Sequence, residues 1–223
     1  MKFKKTGMVW CLVILIFALG YLGIHREASS DSIEKEVANQ PIVQSQQISK
    51  NTPQQQQTNA GEEDDIQKGE EVTVIGDSVI VGVEPYLKEL LPKITVDGKV
   101  GRQMSQAKKV TDELKAKGAL GDYVILELGT NGPFNKEQLR KVLTSLSDAK
   151  QVLVVTTRVP KGWQDTVNST IKDVVPEFDN AKVVDWYAAS EGEKNYFYKD
   201  GVHLKPDGSR YYASLLLQAL QEQ

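Results

Sequence analysis

The feature that most constrains the fold is a regular alternation of short apolar segments with helical patterns over residues 71–221. Strands that alternate with helices in this way favour a parallel sheet covered by helices on both faces. In such open sheets, ligands bind beyond the carboxyl ends of the strands. The predicted strands are VTVIG (72–76), ITVDG (94–98), YVILELG (123–129), QVLVVTTRV (151–159) and AKVVDWY (181–187).

Four helices are predicted from apolar residues that recur at three- and four-residue spacing. Asn135 and Gln138 match a capping box at the start of one helix, and Pro206 suits the first turn of the last. The apolar faces contain Met104, Ala107, Val110 and Leu114; Leu139, Val142, Leu143 and Leu146; Trp163, Val167, Ile171 and Val174; and Tyr212, Leu215, Leu216, Ala219 and Leu220.

The N-terminal segment, residues 1–26, predicts a membrane anchor. Lysines precede an unbroken apolar run over residues 8–24, which is near the lower limit of about 17–25 residues for a spanning helix. A cleavable signal peptide is the alternative, but no small-residue cleavage pattern follows closely. Because the lysines favour the cytoplasmic side, we expect a single-pass cell-membrane protein whose remainder is extracytoplasmic, as on a Gram-positive-type cell surface.

Residues 27–70 predict a disordered linker, because glutamine, serine and charged residues dominate and aromatic residues are absent. The remaining residues, 71–223, are the predicted folded domain. Cys11 is the only cysteine, so neither an internal disulfide nor a cysteine-based metal site is expected. Only two histidines are present, which excludes a multi-histidine zinc site. The formal net charge of −3 gives no electrostatic footprint for nucleic acid.

Ser78 follows the first predicted strand in VIGDSVIVG and opens the next helix. A serine here either caps the helix or acts as a nucleophile. His203, the only histidine after residue 26, favours the second interpretation, because Asp200 precedes it by three residues in YKDGVHLKPDGS. Such a turn lets the carboxylate orient one ring nitrogen while the other faces a serine. The alternative is a surface histidine in a polar loop.

Two further residues follow the neighbouring strands, at positions where they can donate to an oxyanion. Gly101 in DGKVGRQ offers a backbone N–H that substrate can approach closely, and Asn131 in ELGTNGPF offers a side-chain amide. Both residue types also favour turns for purely structural reasons.

Four sequence blocks resemble those of the SGNH (GDSL-like) hydrolase superfamily. They are GDS, the glycine of KVGRQ, the asparagine of GTNG and the Asp-x-x-His turn. Together with TTRVP and VVDWY, they most resemble the extracytoplasmic catalytic domains of the peptidoglycan O-acetyltransferase A family. The resemblance implies a flavodoxin-like, three-layer α/β/α sandwich with no metal or organic cofactor. It also implies Ser78 as nucleophile, His203 as base and Asp200 as its orienting residue, with an oxyanion hole formed by Ser78, Gly101 and Asn131.

Two departures from the family pattern matter. Gly132 follows Asn131 where the superfamily usually has aspartate, although the acetyltransferase-like branch shares this glycine. Full-length members of that branch also carry a many-helix membrane domain, whereas this chain has one predicted spanning segment. We therefore expect a separate membrane acyltransferase to supply the acetyl groups.

Arg158, in the loop after the fourth strand, and Tyr196 and Tyr198, which lie just before Asp200, are candidate substrate-binding residues. Trp163 and Trp186 fit core packing better than sugar stacking: the first lies on a helical apolar face, and the second ends a predicted strand. Asp77 fits a turn-stabilising role better than that of a second acid.

The expected function is an extracytoplasmic serine O-acyltransferase or esterase that acts through an acyl-enzyme and moves acetyl groups onto hydroxyls of peptidoglycan or another cell-wall glycan. A purely hydrolytic carbohydrate or lipid esterase is the first alternative. A non-catalytic glycan-binding module is the second. The protein is expected to be monomeric.

Overall fold

The computed structural model of the protein describes residues 68–222. The predicted anchor and most of the predicted linker lie outside the described residues. Within 68–222, no helix combines the length and the apolar character needed to cross a membrane. Residues 68–70 contact the domain, since the N–H of Lys93 donates to the carbonyl of Lys68 at 2.8 Å.

A five-stranded sheet forms the middle of the domain, with the order β2-β1-β3-β4-β5. Every pairing between neighbouring strands is parallel, which confirms the predicted parallel sheet. All residues of β1, β3 and β4 are buried, as expected for strands covered on both faces. The strands are β1 (Val72–Gly76), β2 (Thr95–Gly98), β3 (Tyr123–Glu127), β4 (Gln151–Val155) and β5 (Ala181–Val184).

Helices cover both faces of the sheet. Alternate strand residues point to opposite faces, so Val74 and Ile125 join one buried cluster while Ile75 and Leu126 join the other. Helices α1 and α6 pack on the first face, and α2, α3 and α4 on the second. The helices are α1 (Ser78–Leu90), α2 (Met104–Ala116), α3 (Lys136–Ser145), α4 (Gln164–Val174), α5 (Trp186–Ala189) and α6 (Pro206–Gln221).

Three strands end earlier than the sequence predicts, at Glu127, Val155 and Val184. The clearest difference is Trp186, which begins the short helix α5 instead of ending a strand. The physical reason lies in Asp185, whose side chain accepts a hydrogen bond from the N–H of Ala188 at 3.1 Å and thereby caps that helix.

Candidate active site

Ser78 is the first residue of α1, directly beyond the carboxyl end of β1. The cap of this helix is Asp77, whose Oδ1 accepts a hydrogen bond from the N–H of Val79 at 3.0 Å. The alternative in which Ser78 itself caps the helix is therefore wrong. Its hydroxyl remains available for other contacts, and its N–H belongs to the first turn, where N–H groups lack intrahelical acceptors.

Ser78, His203 and Asp200 form one continuous hydrogen-bonded chain. The Oγ of Ser78 lies 3.0 Å from Nε2 of His203, and Nδ1 of the same ring lies 2.8 Å from Oδ2 of Asp200. About half of each side chain of the His–Asp pair is exposed, with 47% for His203 and 48% for Asp200. The structure therefore brings the three residues of the predicted triad together at a site that solvent reaches, although Ser78 and His203 lie 125 positions apart in sequence.

The Asp200 carboxylate is held by a local turn. Its Oδ1 accepts from the N–H groups of Val202 at 2.9 Å and His203 at 3.0 Å, while Oδ2 faces the imidazole. Partial desolvation opposes ionisation, but the hydrogen bonds from the imidazole and the two N–H groups outweigh it and hold the pKa of Asp200 below its ordinary value. An ionised carboxylate is thus fixed against Nδ1, which favours the tautomer that leaves Nε2 free to accept a proton.

Asn131, which follows β3, is oriented by Asp77. Its Nδ2 lies 3.0 Å from Oδ2 of Asp77, and the hydroxyl of Thr130 donates to the same carboxylate oxygen. The carboxylate of Asp77 therefore joins the start of α1 to the loop that carries Asn131. The expected turn-stabilising role of Asp77 accounts for its hydrogen bond with Val79 but not for those with Thr130 and Asn131.

Glu127 lies beneath this group, fully buried at the end of β3. Its Oε2 accepts a hydrogen bond from the N–H of Asp77 at 3.2 Å. Burial, reinforced by the negative charge of Asp77, holds the pKa of Glu127 well above its ordinary value. Burial also raises the pKa of Asp77, although the hydrogen bonds that its carboxylate accepts oppose this effect. A buried carboxyl pair thus supports the backbone on which Ser78 lies.

Gly101 lies in the turn after β2 with a φ of 75°, in the left-handed region that favours glycine. No atom lies within 4 Å of the position that its Cβ would occupy, so the backbone is open to a ligand. The neighbouring Arg102 is buried, and its Nη1 donates to the carbonyl of Gly76 at 3.0 Å. Its guanidinium also pairs with Asp97. Arg102 therefore ties the Gly101 turn to the end of β1.

The candidate substrate-binding residues separate into two groups. Arg158 and Tyr198 line a cavity beside the Asp200 turn, whereas the Tyr196 ring packs against Tyr211 of α6, with ring centroids 5.3 Å apart. The structure thus places the first two in a cavity beside the Asp200 turn and leaves Tyr196 in a packing contact.

Trp163 and Trp186 make the packing contacts expected for core residues. Trp186 is buried and packs edge-on against Tyr212, with ring centroids 4.6 Å apart. Trp163 is half-buried, and its Nε1 donates to the carbonyl of Gly129 at 3.1 Å.

Sequence reasoning missed Glu127, Thr130 and Arg102. A signal existed for Glu127, because it is the single charged residue in the buried strand YVILE. Arg102 carried no comparable signal, since an arginine after a turn glycine is ordinarily exposed. Among the described residues, no group of three or more His, Cys, Asp or Glu side chains is arranged to hold a metal ion.

Comparison with known proteins finds sequence similarity to bacterial O-acetyltransferases and a fold shared with several solved structures. No family model matches the sequence. The chain is 43% identical over 152 residues to the peptidoglycan O-acetyltransferase OatA of Listeria monocytogenes, which covers 68% of this chain and 24% of that protein. It is 36% identical over 163 residues to the O-acetyltransferase OatA of Staphylococcus aureus, and this match covers 73% of this chain and 27% of that protein. The chain thus spans about a quarter of the length of these relatives.

Solved structures share the fold. The C-terminal catalytic domain of peptidoglycan O-acetyltransferase A from Streptococcus pneumoniae matches with a TM-score of 0.62 at 19% identity, covering 69% of this chain and 93% of that domain. The acetylxylan esterase Axe2 of Geobacillus stearothermophilus matches with a TM-score of 0.54 at 17% identity, covering 70% and 96%. These findings confirm the resemblance seen in the motifs: over about two thirds of its length the chain is a homologue of the peptidoglycan O-acetyltransferases, and its fold is that of the SGNH hydrolases.

Proposed function

We propose that this protein is a serine O-acyltransferase that moves acetyl groups, through an acyl-enzyme, onto hydroxyls of peptidoglycan or another cell-wall glycan. The observation that carries the proposal is the chain from the Ser78 hydroxyl through His203 to Asp200, with distances of 3.0 and 2.8 Å. Its sequence relatives support the choice of acetyl and of peptidoglycan, because they are named peptidoglycan O-acetyltransferases.

In the first half-reaction, His203 takes the proton of the Ser78 hydroxyl as Oγ attacks the acetyl carbonyl of a donor ester. The oxyanion that forms is stabilised by the N–H groups of Ser78 and Gly101 and by the Asn131 amide. The imidazolium then protonates the leaving alkoxide, and the acetyl group remains on Ser78. Asp200 stabilises the imidazolium throughout, since its carboxylate is ionised and already hydrogen-bonded to Nδ1.

In the second half-reaction, His203 takes a proton from an acceptor hydroxyl as its oxygen attacks the acetyl carbonyl. The imidazolium then returns this proton to Oγ of Ser78 as the ester bond to Ser78 breaks. A sugar hydroxyl gives transfer, and water gives hydrolysis. Hydrolysis is the second candidate function, and the exposure of the triad favours it, because water reaches the acyl-enzyme from the same side as a sugar. The esterases among the solved structures fit this alternative.

The apolar run of residues 8–24, with lysines before it, supports an extracytoplasmic position for the domain. A separate membrane protein then supplies the acetyl donor, and the acceptor is the adjacent wall.

The test is to give the purified full chain 4-nitrophenyl acetate, with and without cell-wall oligosaccharide, and to measure acetylated sugar and free acetate. We expect acetylated sugar to increase at the expense of acetate as the acceptor concentration rises. Free acetate alone at every acceptor concentration would leave the esterase and remove the transferase. A non-catalytic glycan-binding module predicts no labelling of Ser78 by a fluorophosphonate and no release of acetate.

A further inference from the structure

A cavity of about 630 Å³ lies beside the turn that carries Asp200. Its walls are formed by residues 158–161 and Gln164, by Tyr187 and Ser190, and by residues 192–194, residues 197–199 and Gly201. Pro160 closes the junction with the Asp200 turn, because its Cγ lies 3.3 Å from the position that a Cβ of Gly201 would take. This space, called the Arg158 cavity below, therefore adjoins the turn that positions His203.

The Arg158 cavity is strongly cationic although the chain as a whole is acidic. Arg158, Lys161, Lys194 and Lys199 line it, with Glu193 as its one acidic side chain. The formal charge of the lining is thus +3, against −3 for the whole sequence. A concave surface with one dominant sign of charge raises the local concentration of ligands of the opposite sign.

The lysines of the Arg158 cavity are available to a ligand. Across residues 68–222, no carboxylate pairs with Lys161, Lys194 or Lys199. All three side chains belong to exposed residues.

A second cavity gives an internal comparison, because it has almost the same volume, about 640 Å³, and also contains several basic residues. There Lys108 pairs with Asp112 at 2.7 Å, and Lys141 pairs with Glu137 at 3.7 Å. Mutual neutralisation is thus the pattern in that cavity, and the Arg158 cavity departs from it.

The guanidinium of Arg158 is held in a fixed orientation. Its Nε donates to Oγ of Ser190 at 2.7 Å, its Nη2 donates to the carbonyl of Tyr187 at 2.7 Å, and its Cζ lies 4.6 Å from the centroid of the Tyr187 ring. Within the described part of the chain, Nη1 forms no hydrogen bond. A planar cation with a free N–H donor binds a carboxylate better than it binds a neutral hydroxyl.

We propose that the Arg158 cavity is an acceptor subsite that binds a carboxylate group of the glycan whose hydroxyl is acylated. The proposal rests on the proposed transfer to a cell-wall glycan, in which carboxylates occur on the lactyl ether of muramic acid and on peptide substituents. Because the cavity adjoins the Asp200 turn, a carboxylate bound there brings the sugar that bears it next to His203. The subsite thereby selects anionic acceptors over neutral sugars and over water.

The test measures equilibrium binding to the full chain carrying Ser78→Ala, so that no turnover is needed and the result does not depend on whether transfer occurs. Three oligosaccharides are compared: neutral chitooligosaccharide, peptide-free muramyl oligosaccharide, and the same glycan with its peptides. We expect at least one carboxylated ligand to bind more tightly than the neutral one. The double change Lys161→Gln with Lys199→Gln should weaken that binding roughly 5- to 20-fold, and added salt should weaken it as well.

The matched control is Lys108→Gln with Lys141→Gln, which removes two charges from the second cavity and should leave all affinities within about twofold. The identity of the carboxylated ligand that responds distinguishes a lactyl from a peptide carboxylate. Equal affinity for neutral and carboxylated ligands overturns the proposal, and so does an equal loss in the control variant. A change confined to the neutral ligand overturns it too.

Discussion

The side chain of Asp77 connects Asn131 to the start of α1: Oδ2 accepts from Nδ2 of Asn131 at 3.0 Å, and Oδ1 accepts from the N–H of Val79 at the same distance. One carboxylate therefore fixes the spatial relation between the helix that begins at Ser78 and the amide proposed to bind the oxyanion. Preorganised donors of this kind stabilise a transition state without reorganising during the reaction.

Asn131→Ala should lower kcat for acetyl-ester cleavage by about 10²–10³-fold, because one oxyanion donor is lost. Asp77→Asn should lower kcat less, by roughly 10-fold, since Asn131 remains but loses the carboxylate that orients it. Steady-state kinetics with 4-nitrophenyl acetate measure both. A loss for Asp77→Asn equal to that for Asn131→Ala would contradict the assigned positioning role.

Ser78→Ala and His203→Ala should each abolish formation of an acetyl-enzyme, which mass spectrometry detects after a short incubation with donor ester. Asp200→Asn should keep the geometry but favour the wrong imidazole tautomer, and should lower kcat by about 10²–10⁴-fold. Full activity in any of the three variants would remove the proposed triad.

Glu127→Gln should change the pH dependence of stability. The pKa of Glu127 is raised in the folded state, so the folded protein holds a proton that the unfolded chain releases above its own pKa of about 4.3. The free energy of unfolding therefore falls as the pH rises from that value towards the folded pKa. Glutamine does not titrate, so the free energy of unfolding of the variant should rise relative to that of the native protein as the pH increases from roughly 5 to roughly 8. Urea unfolding at both pH values provides the measurement, and parallel pH profiles would refute the assignment.

Arg102→Ala should lower the free energy of unfolding by about 2–4 kcal/mol, because the carbonyl of Gly76 and the carboxylate of Asp97 lose a buried partner. Chemical denaturation measures this change. Arg210→Ala is the matched control: that side chain is exposed, pairs weakly with Asp207 at 3.9 Å and lies over the Tyr86 ring, 5.1 Å from its centroid, so the loss should stay below about 1 kcal/mol.

Two glycines near Ser78 should respond in opposite directions to alanine. A Cβ at Gly76 would lie 2.2 Å from Cγ1 of Ile80, so Gly76→Ala should destabilise the fold by about 1–3 kcal/mol. A Cβ at Gly82, inside α1, meets nothing within 4 Å, so Gly82→Ala should stabilise the protein by about 0.5–1 kcal/mol. Thermal unfolding distinguishes the two, and destabilisation by Gly82→Ala would show that α1 packs differently.

The sequence by itself determined the five parallel strands, the main helices and the residues that converge at the strand ends. These follow from local periodicity and from the rule that loops at the carboxyl ends of parallel strands share one edge of the sheet. Ser78, Asn131 and His203 were predictable for this reason, and local sequence also identified the Asp200 turn. Strand ends were less predictable, because at Asp185 a side-chain cap competes with strand extension.

Only the tertiary structure decided how these groups are supported and that a cationic cavity forms beside the Asp200 turn. The Glu127–Asp77 contact joins residues 50 positions apart, and the Arg158 cavity is formed by three separate segments. Burial and charge at such places depend on what packs around a side chain, and no local pattern records this. The sequence therefore predicted the groups proposed to carry out the chemistry, while the packing determined their pKa shifts, their orientation and the cationic cavity beside them.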